Sequence, residues 1–204
     1  MDRNTSAGIG IVVLGAVILA LAPAAAKAQK GPARQEVSPE MKALAAGQNT
    51  FALDLYSSIR GQKGNLFFSP YSISNALTMT WAGAAGPTAG EMASVLHLPG
   101  SGPFTPAGGT GAPETPQPKA DPQAWRTATI QAAAALQKRL NAAGAKGGFQ
   151  LAVANALWGQ KGYPFKQDYL ALINENFGGG LQQVDFHEEP AARAAINRWV
   201  EQQT

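Results

Sequence analysis

The stretch Gly64-Asn65-Leu66-Phe67-Phe68-Ser69-Pro70-Tyr71-Ser72-Ile73 carries two structural signals side by side. Leu66-Phe67-Phe68 is short and continuously apolar, which predicts a small buried strand. Ser69-Pro70 then ends it and opens a helix, with a hydroxyl at the N-cap and proline at the first helical position. Along that helix Ile73, Leu77 and Trp81 recur on one side, and Ala76, Thr80 and Ala84 supply small residues on the other. Very little of it is charged, so it is expected inside the protein.

Toward the N-terminus, Ser38-Pro39-Glu40 repeats the same start signal for a preceding helix. Its later part places Phe51, Leu55 and Ile59 on one face, and it stops at Arg60-Gly61. Residues 29–37 read as a flexible lead. Before them, Arg3, the apolar run from Ile9 to Ala22 and the small residues ending Ala26-Lys27-Ala28 have the order of a secretory signal, so residues 1–28 are expected to be a removable leader. The run from Ala7 to Ala26 approaches the roughly 20 residues that span a bilayer, which makes a membrane anchor the alternative. Pro23 and the Ala-x-Ala site favour cleavage, and with no Cys there is nothing to carry a lipid.

Toward the C-terminus, Thr88 with Glu91 reads as a capping box for a third helix carrying Met92, Val95 and Leu96. From Pro99 to Pro122, 24 residues hold seven Pro and five Gly, a composition that cannot make a regular ladder, so residues 99–122 are expected to be a disordered insertion. Too little sequence precedes it for a complete first domain. Asp121-Pro122 then caps a fourth helix with Trp125, Thr129, Ala133, Leu136 and Leu140 along one face. Phe149, Leu151, Val153, Asn155 and Leu157 alternate as one face of a strand. After a turn from Gly159 to Pro164, Phe165 to Phe177 forms a fifth helix broken by Gly178-Gly179-Gly180. Leu181 to Phe186 is a further strand, and a sixth helix begins near Pro190 and runs to the end of the chain.

The charge pattern narrows function. The chain has 16 basic and 13 acidic residues, and removing Asp2, Arg3 and Lys27 with the leader leaves 14 against 12, with no basic run. Nucleic acid and anionic membrane are therefore poor partners for it. An exported protein without cysteine must take its stability from burial, since no disulfide constrains the unfolded chain. His97 and His187 have no second ligand at metal-binding spacing, and solvated or capping roles suit them better. No G-x-S-x-G elbow and no Ser-x-x-Lys pair supports a serine nucleophile, and Gly108-Gly109-Thr110-Gly111 lacks the flanking strand and Lys of a phosphate loop. No cofactor and no metal is expected, and an enzyme is disfavoured.

One polar constellation remains. Asn155 takes a core-facing strand position, where an unpaired amide costs about 1 to 3 kcal/mol. Ser69 and Ser72, at the first turn of the buried helix, could reach across to it. Alternatively each hydroxyl caps its own helix and Asn155 meets water.

Beyond pattern, Phe51-Ala52-Leu53-Asp54-Leu55-Tyr56, the stretch Gly64 to Ile73, and Ala82-Gly83-Ala84-Ala85 with Thr88 and Glu91 resemble the serpin family. So do Ala154-Asn155-Ala156-Leu157-Trp158, Tyr163-Pro164-Phe165, Val184-Asp185-Phe186 and Ile196-Asn197-Arg198-Trp199-Val200, in the same order. The resemblance covers about Val37 to Thr204, excluding the insertion. It implies an α+β serpin fold, N-terminal portion: six helices, the first two strands of a large central sheet and one strand of a smaller sheet, over residues 38–204. It further implies that Ser69, Ser72 and Asn155 belong to the polar shutter beneath the central sheet.

By the same resemblance, the protein would inhibit serine, and sometimes cysteine, proteases as a suicide substrate, its reactive loop inserting into the central sheet after cleavage. That loop would lie beyond Thr204, and a truncated or non-inhibitory serpin-like binding protein is the alternative. Thr127 to Ala135 mimics the small-residue hinge of such a loop, but its helical continuation into Leu136 and Leu140 argues against it. Lys138 and Arg139 are thin support for polyanion control. The full-length protein would be monomeric, and the leader points to a secreted or periplasmic bacterial protein.

Overall fold

The computed structural model describes residues 12–21, 37–101, 121–144, 149–178 and 180–203. In chain order these form β1 (Val12–Leu21), α1 (Pro39–Ile59), α2 (Pro70–Trp81), α3 (Gly86–Val95), α4 (Pro122–Gly144), β2 (Phe149–Gln160), α5 (Gln167–Phe177), β3 (Leu181–Val184) and α6 (Glu189–Gln203). Most of the expected insertion, residues 102–120, lies outside the described residues, as does most of the expected leader. Among the described residues, no helix is long and apolar enough to cross a membrane.

The helix starts follow local chemistry. The Met41 amide donates to the Ser38 hydroxyl at 3.2 Å, the Ser72 amide to the Ser69 hydroxyl at 3.2 Å, and the Gln123 amide to the Asp121 carboxylate at 2.9 Å. Each acceptor precedes a proline whose missing N–H is not needed in the first turn. Helix α3 starts earlier than the capping box predicts: its N-cap is Ala85 and no side chain caps it. Pro87, which sets the helical φ in the first turn, outweighs the Thr88 signal. Helix α5 stops where Gly178 turns left-handed, at φ 63°.

The sheet has the order β1-β2-β3, with β2 antiparallel to β1 and parallel to β3. Strand β2 runs to Gln160, so the turn expected from Gly159 begins two residues later. Gly159 lies inside the strand because a Cβ there would press on Phe165 and Leu181, at 2.6 and 2.9 Å. Strand β3 ends at Val184, short of Phe186, because Asp185 and Phe186 enter a turn. Val12–Leu21, the apolar middle of the expected leader, forms strand β1 in this chain and pairs with the whole of β2 up to Trp158.

The expected strand at Leu66-Phe67-Phe68 is corrected. These residues form no strand, Leu66 is exposed and Phe67 is 99 % exposed. A strand needs a hydrogen-bonded neighbour, and none lies beside this segment among the described residues.

Two apolar clusters form the core, the first among the helices and the second between helices and sheet. Leu44 and Phe51 of α1, Trp81, Ala93, Leu96 and Leu98 pack with Ala132 and Ala133 of α4. Met79 and Ala82, Ile130 of α4, Leu157 of β2 and Ile173 of α5 form the second. Helix α2 is buried as expected, but through a different face. Ser72, Ser74, Asn75 and Thr78 are buried with Ala76, Met79 and Trp81, whereas Ile73 is 37 % exposed. Small side chains let the helix approach the sheet closely, which apolar periodicity alone does not reveal.

Candidate functional site

Of the predicted polar residues, Ser69 and Ser72 lie at the start of α2 and Asn155 lies on β2. Ser69 ends the preceding segment as the N-cap, so its oxygen is already committed to the Ser72 amide. Its hydroxyl also donates to the Ser72 oxygen at 3.1 Å. The structure thus joins Ser69 to Ser72 and leaves Asn155 separate. Asn155 is only 7 % exposed, yet neither its amide nitrogen nor its carbonyl oxygen has a hydrogen-bond partner among the described residues. Its partner position across the sheet on β1 is Gly15, which has no side chain to offer.

Asn155 is not alone in this. Ser74 Oγ, Asn75 Oδ1, Tyr71 Oη and Trp158 Nε1 are also buried without partners among the described residues. Burial pushes the Tyr71 phenol well above its ordinary value, and that of Tyr169 up to about 12, because the ionised forms lose their hydration. Tyr169 is better placed, donating to the Met79 carbonyl at 3.3 Å. Both α2 and β2 therefore bury polar groups that are only partly satisfied among the described residues.

Sequence reasoning missed what braces this region. The Asn75 amide donates to Gln137 Oε1 at 2.7 Å, and Gln137 and Asn141 of α4 reach the Val153 backbone on β2. Their spacing of four along α4 puts both on one helix face, and that is the signal that could have found them. At the far end of β2, Gln160 donates to Asp185 at 2.9 Å and accepts from the Phe186 amide at 2.9 Å. The Gln160 and His187 donors hold the Asp185 carboxyl below its ordinary range.

The histidines have specific partners. His97 Nε2 lies 2.7 Å from Asp54 Oδ2, tying the segment after α3 to α1, and the His187 amide donates to Asp185 at 3.0 Å. Among the described residues, no group of three His, Cys, Asp or Glu could hold a metal ion. A cleft of about 280 Å³ between α1 and α4 is walled by Pro39, Ala43, Pro99, Trp125 and Ala132, with Glu40 its one carboxylate. That lining supplies no acid/base pair.

The chain is similar to known proteins in sequence and in fold. The profile of the family described as Serpin (serine protease inhibitor) matches residues 46–204. Over 157 residues the chain is 37 % identical to an uncharacterised serpin-like protein of Thermococcus kodakarensis, covering 76 % of this chain and 31 % of the relative. It is 33 % identical to a leukocyte elastase inhibitor of Bos taurus, covering 80 % of this chain and 37 % of the relative. Among solved structures it is similar to a cleaved Serpin 42Da, with a TM-score of 0.57 and 26 % identity, over 81 % of this chain and 37 % of the other. Emu (Dromaius novaehollandiae) ovalbumin gives a TM-score of 0.57 at 25 % identity, over 79 % and 39 %. The chain spans about a third of the length of the curated relatives it matches.

Proposed function

The chain belongs to the serpin family, and from that premise we propose that the protein it comes from inhibits a serine protease by offering a reactive loop as bait. After the loop is cut, it enters the central sheet as an added strand, and the acyl-linked protease is carried with it. The observation that carries this reading is the family match across residues 46–204, which runs from within α1 through α6. A relative named leukocyte elastase inhibitor supports the protease class. The polar residues fit the same role: Ser69, Ser72 and Asn155 would belong to the shutter, and Asn155, buried on β2 without a partner among the described residues, is where a rearranging sheet would find or exchange one.

The order of Arg3, the apolar run and Ala26-Lys27-Ala28 supports export, with residues 1–28 a leader removed near Ala28 and the product periplasmic or secreted. The test of inhibition is to mix the full-length gene product with a panel of serine proteases and look for a protease complex that survives SDS. Such a complex is the expected result. Its absence with every protease in the panel would overturn the inhibitory reading.

A further inference from the structure

Strand β2 is twelve residues long, but β3 pairs only with its last four, Leu157 to Gln160. The Lys161 amide donates to the Val184 carbonyl at 2.8 Å, so the backbone groups of Lys161 face β3. Along a strand, successive residues turn their N–H and C=O groups to opposite edges. Those of Val153 and Asn155 therefore face the same edge as Lys161, at points β3 does not reach. An uncovered row of backbone groups is a template for an extended segment of another chain.

At Val153 that row is interrupted. Its N–H donates to Asn141 Oδ1 at 2.8 Å, and its carbonyl accepts from Asn141 Nδ2 at 3.1 Å and from Gln137 Nε2 at 3.3 Å. A primary amide carries the same donor and acceptor as a peptide group, so one side chain makes both bonds that a neighbouring strand would make. Gln137 is itself fixed, its Oε1 accepting from Asn75 of α2 at 2.7 Å.

We infer that Asn141, steadied by Gln137, is a strand surrogate that seals the β3-side edge of β2 against strand addition. The inference concerns the sheet edge and stands whether or not the protein inhibits a protease. Without the surrogate, a second copy of this chain is the extended partner nearest to hand.

The test compares the full chain with Asn141→Ala and Asn141→Asp, reading amide hydrogen exchange at Val153 and mass by light scattering over a concentration series. In Asn141→Ala, exchange at Val153 rises about tenfold, the order of one net hydrogen bond lost, while the amides covered by β3 hold their rates and a concentration-dependent dimer appears. In Asn141→Asp, which keeps the acceptor, Val153 stays protected. Unchanged exchange at Val153 in Asn141→Ala would overturn the inference. So would acceleration of the whole sheet together, or local acceleration in a chain that stays monomeric.

Discussion

Arg126 Nη1 of α4 donates to the main-chain carbonyl of Trp81 at 2.8 Å, and its guanidinium lies 5.0 Å from the centroid of the Trp81 ring. The same nitrogen meets the carbonyls of Ala82 and Ala84 at 2.7 and 2.8 Å. One cation thus closes the C-terminal end of α2, where carbonyls lack helical partners and the helix dipole favours positive charge. Trp81 stands edge-on to Trp125 at 4.9 Å, so the contact joins α2 to α4 through both charge and rings.

Replacing Arg126 by Ala removes the cap and leaves those carbonyls to find water. The expected loss is about 2 to 3 kcal/mol, the scale for hydrogen bonds to a charged group, read as a lower urea midpoint with unchanged slope. Arg126→Lys restores part of it. A midpoint within error of wild type for Arg126→Ala would contradict the role.

Gly47 lies on α1 where the His97 carbonyl presses against the helix, and a Cβ at that position would collide with main chain rather than with a movable side chain. Gly47→Ala must push apart α1 and the segment after α3. It is expected to cost about 2 to 3 kcal/mol, at the upper end for overpacking, and to release His97 from Asp54. Thermal unfolding and the imidazole NMR signals check both parts together; an unperturbed His97 signal in a stable variant would show that the close approach is relieved elsewhere.

These contacts mark where the sequence is readable. Ser38-Pro39, Ser69-Pro70 and Asp121-Pro122 announce helix starts because a cap and its amide lie within three residues of each other, and the structure bears all three out. Leu66 to Phe68 misleads because a strand depends on a distant neighbour. Ile73 misleads because α2 buries a face of Ser72, Asn75 and Thr78 instead. Arg126 escapes notice because its acceptors are backbone carbonyls, which carry no sequence signal, and Gln137 and Asn141 leave only their spacing of four because most of their partners are backbone groups too.

Asn155 buries two polar atoms that have no partner among the described residues. Asn155→Leu, similar in shape and without polar atoms, is expected to stabilise the 204-residue chain, by about 1 kcal/mol or more. Chemical denaturation decides it. A loss of comparable size would mean that the amide has partners after all.

Asp185 gives a pH signature. Its folded value is depressed, first by the Gln160 amide and then by the His187 amide, so the contact is fully present above the unfolded carboxylate value of about 3.9 and is lost as pH falls through the lower folded value. An NMR titration of the Phe186 amide should therefore show a midpoint below the ordinary aspartate range, absent in Asp185→Ala. A midpoint at or above that range would contradict the assignment.

Under the proposed function, β2 belongs to a sheet that would gain a strand when the full-length protein is cut in a reactive loop. The most direct measurement is the unfolding temperature of the full-length gene product before and after limited proteolysis. A cleaved form that stays associated and melts higher than the intact one is the predicted result, because an inserted strand satisfies backbone groups that the intact sheet leaves open. A cleaved form that melts at the same temperature or lower would contradict it.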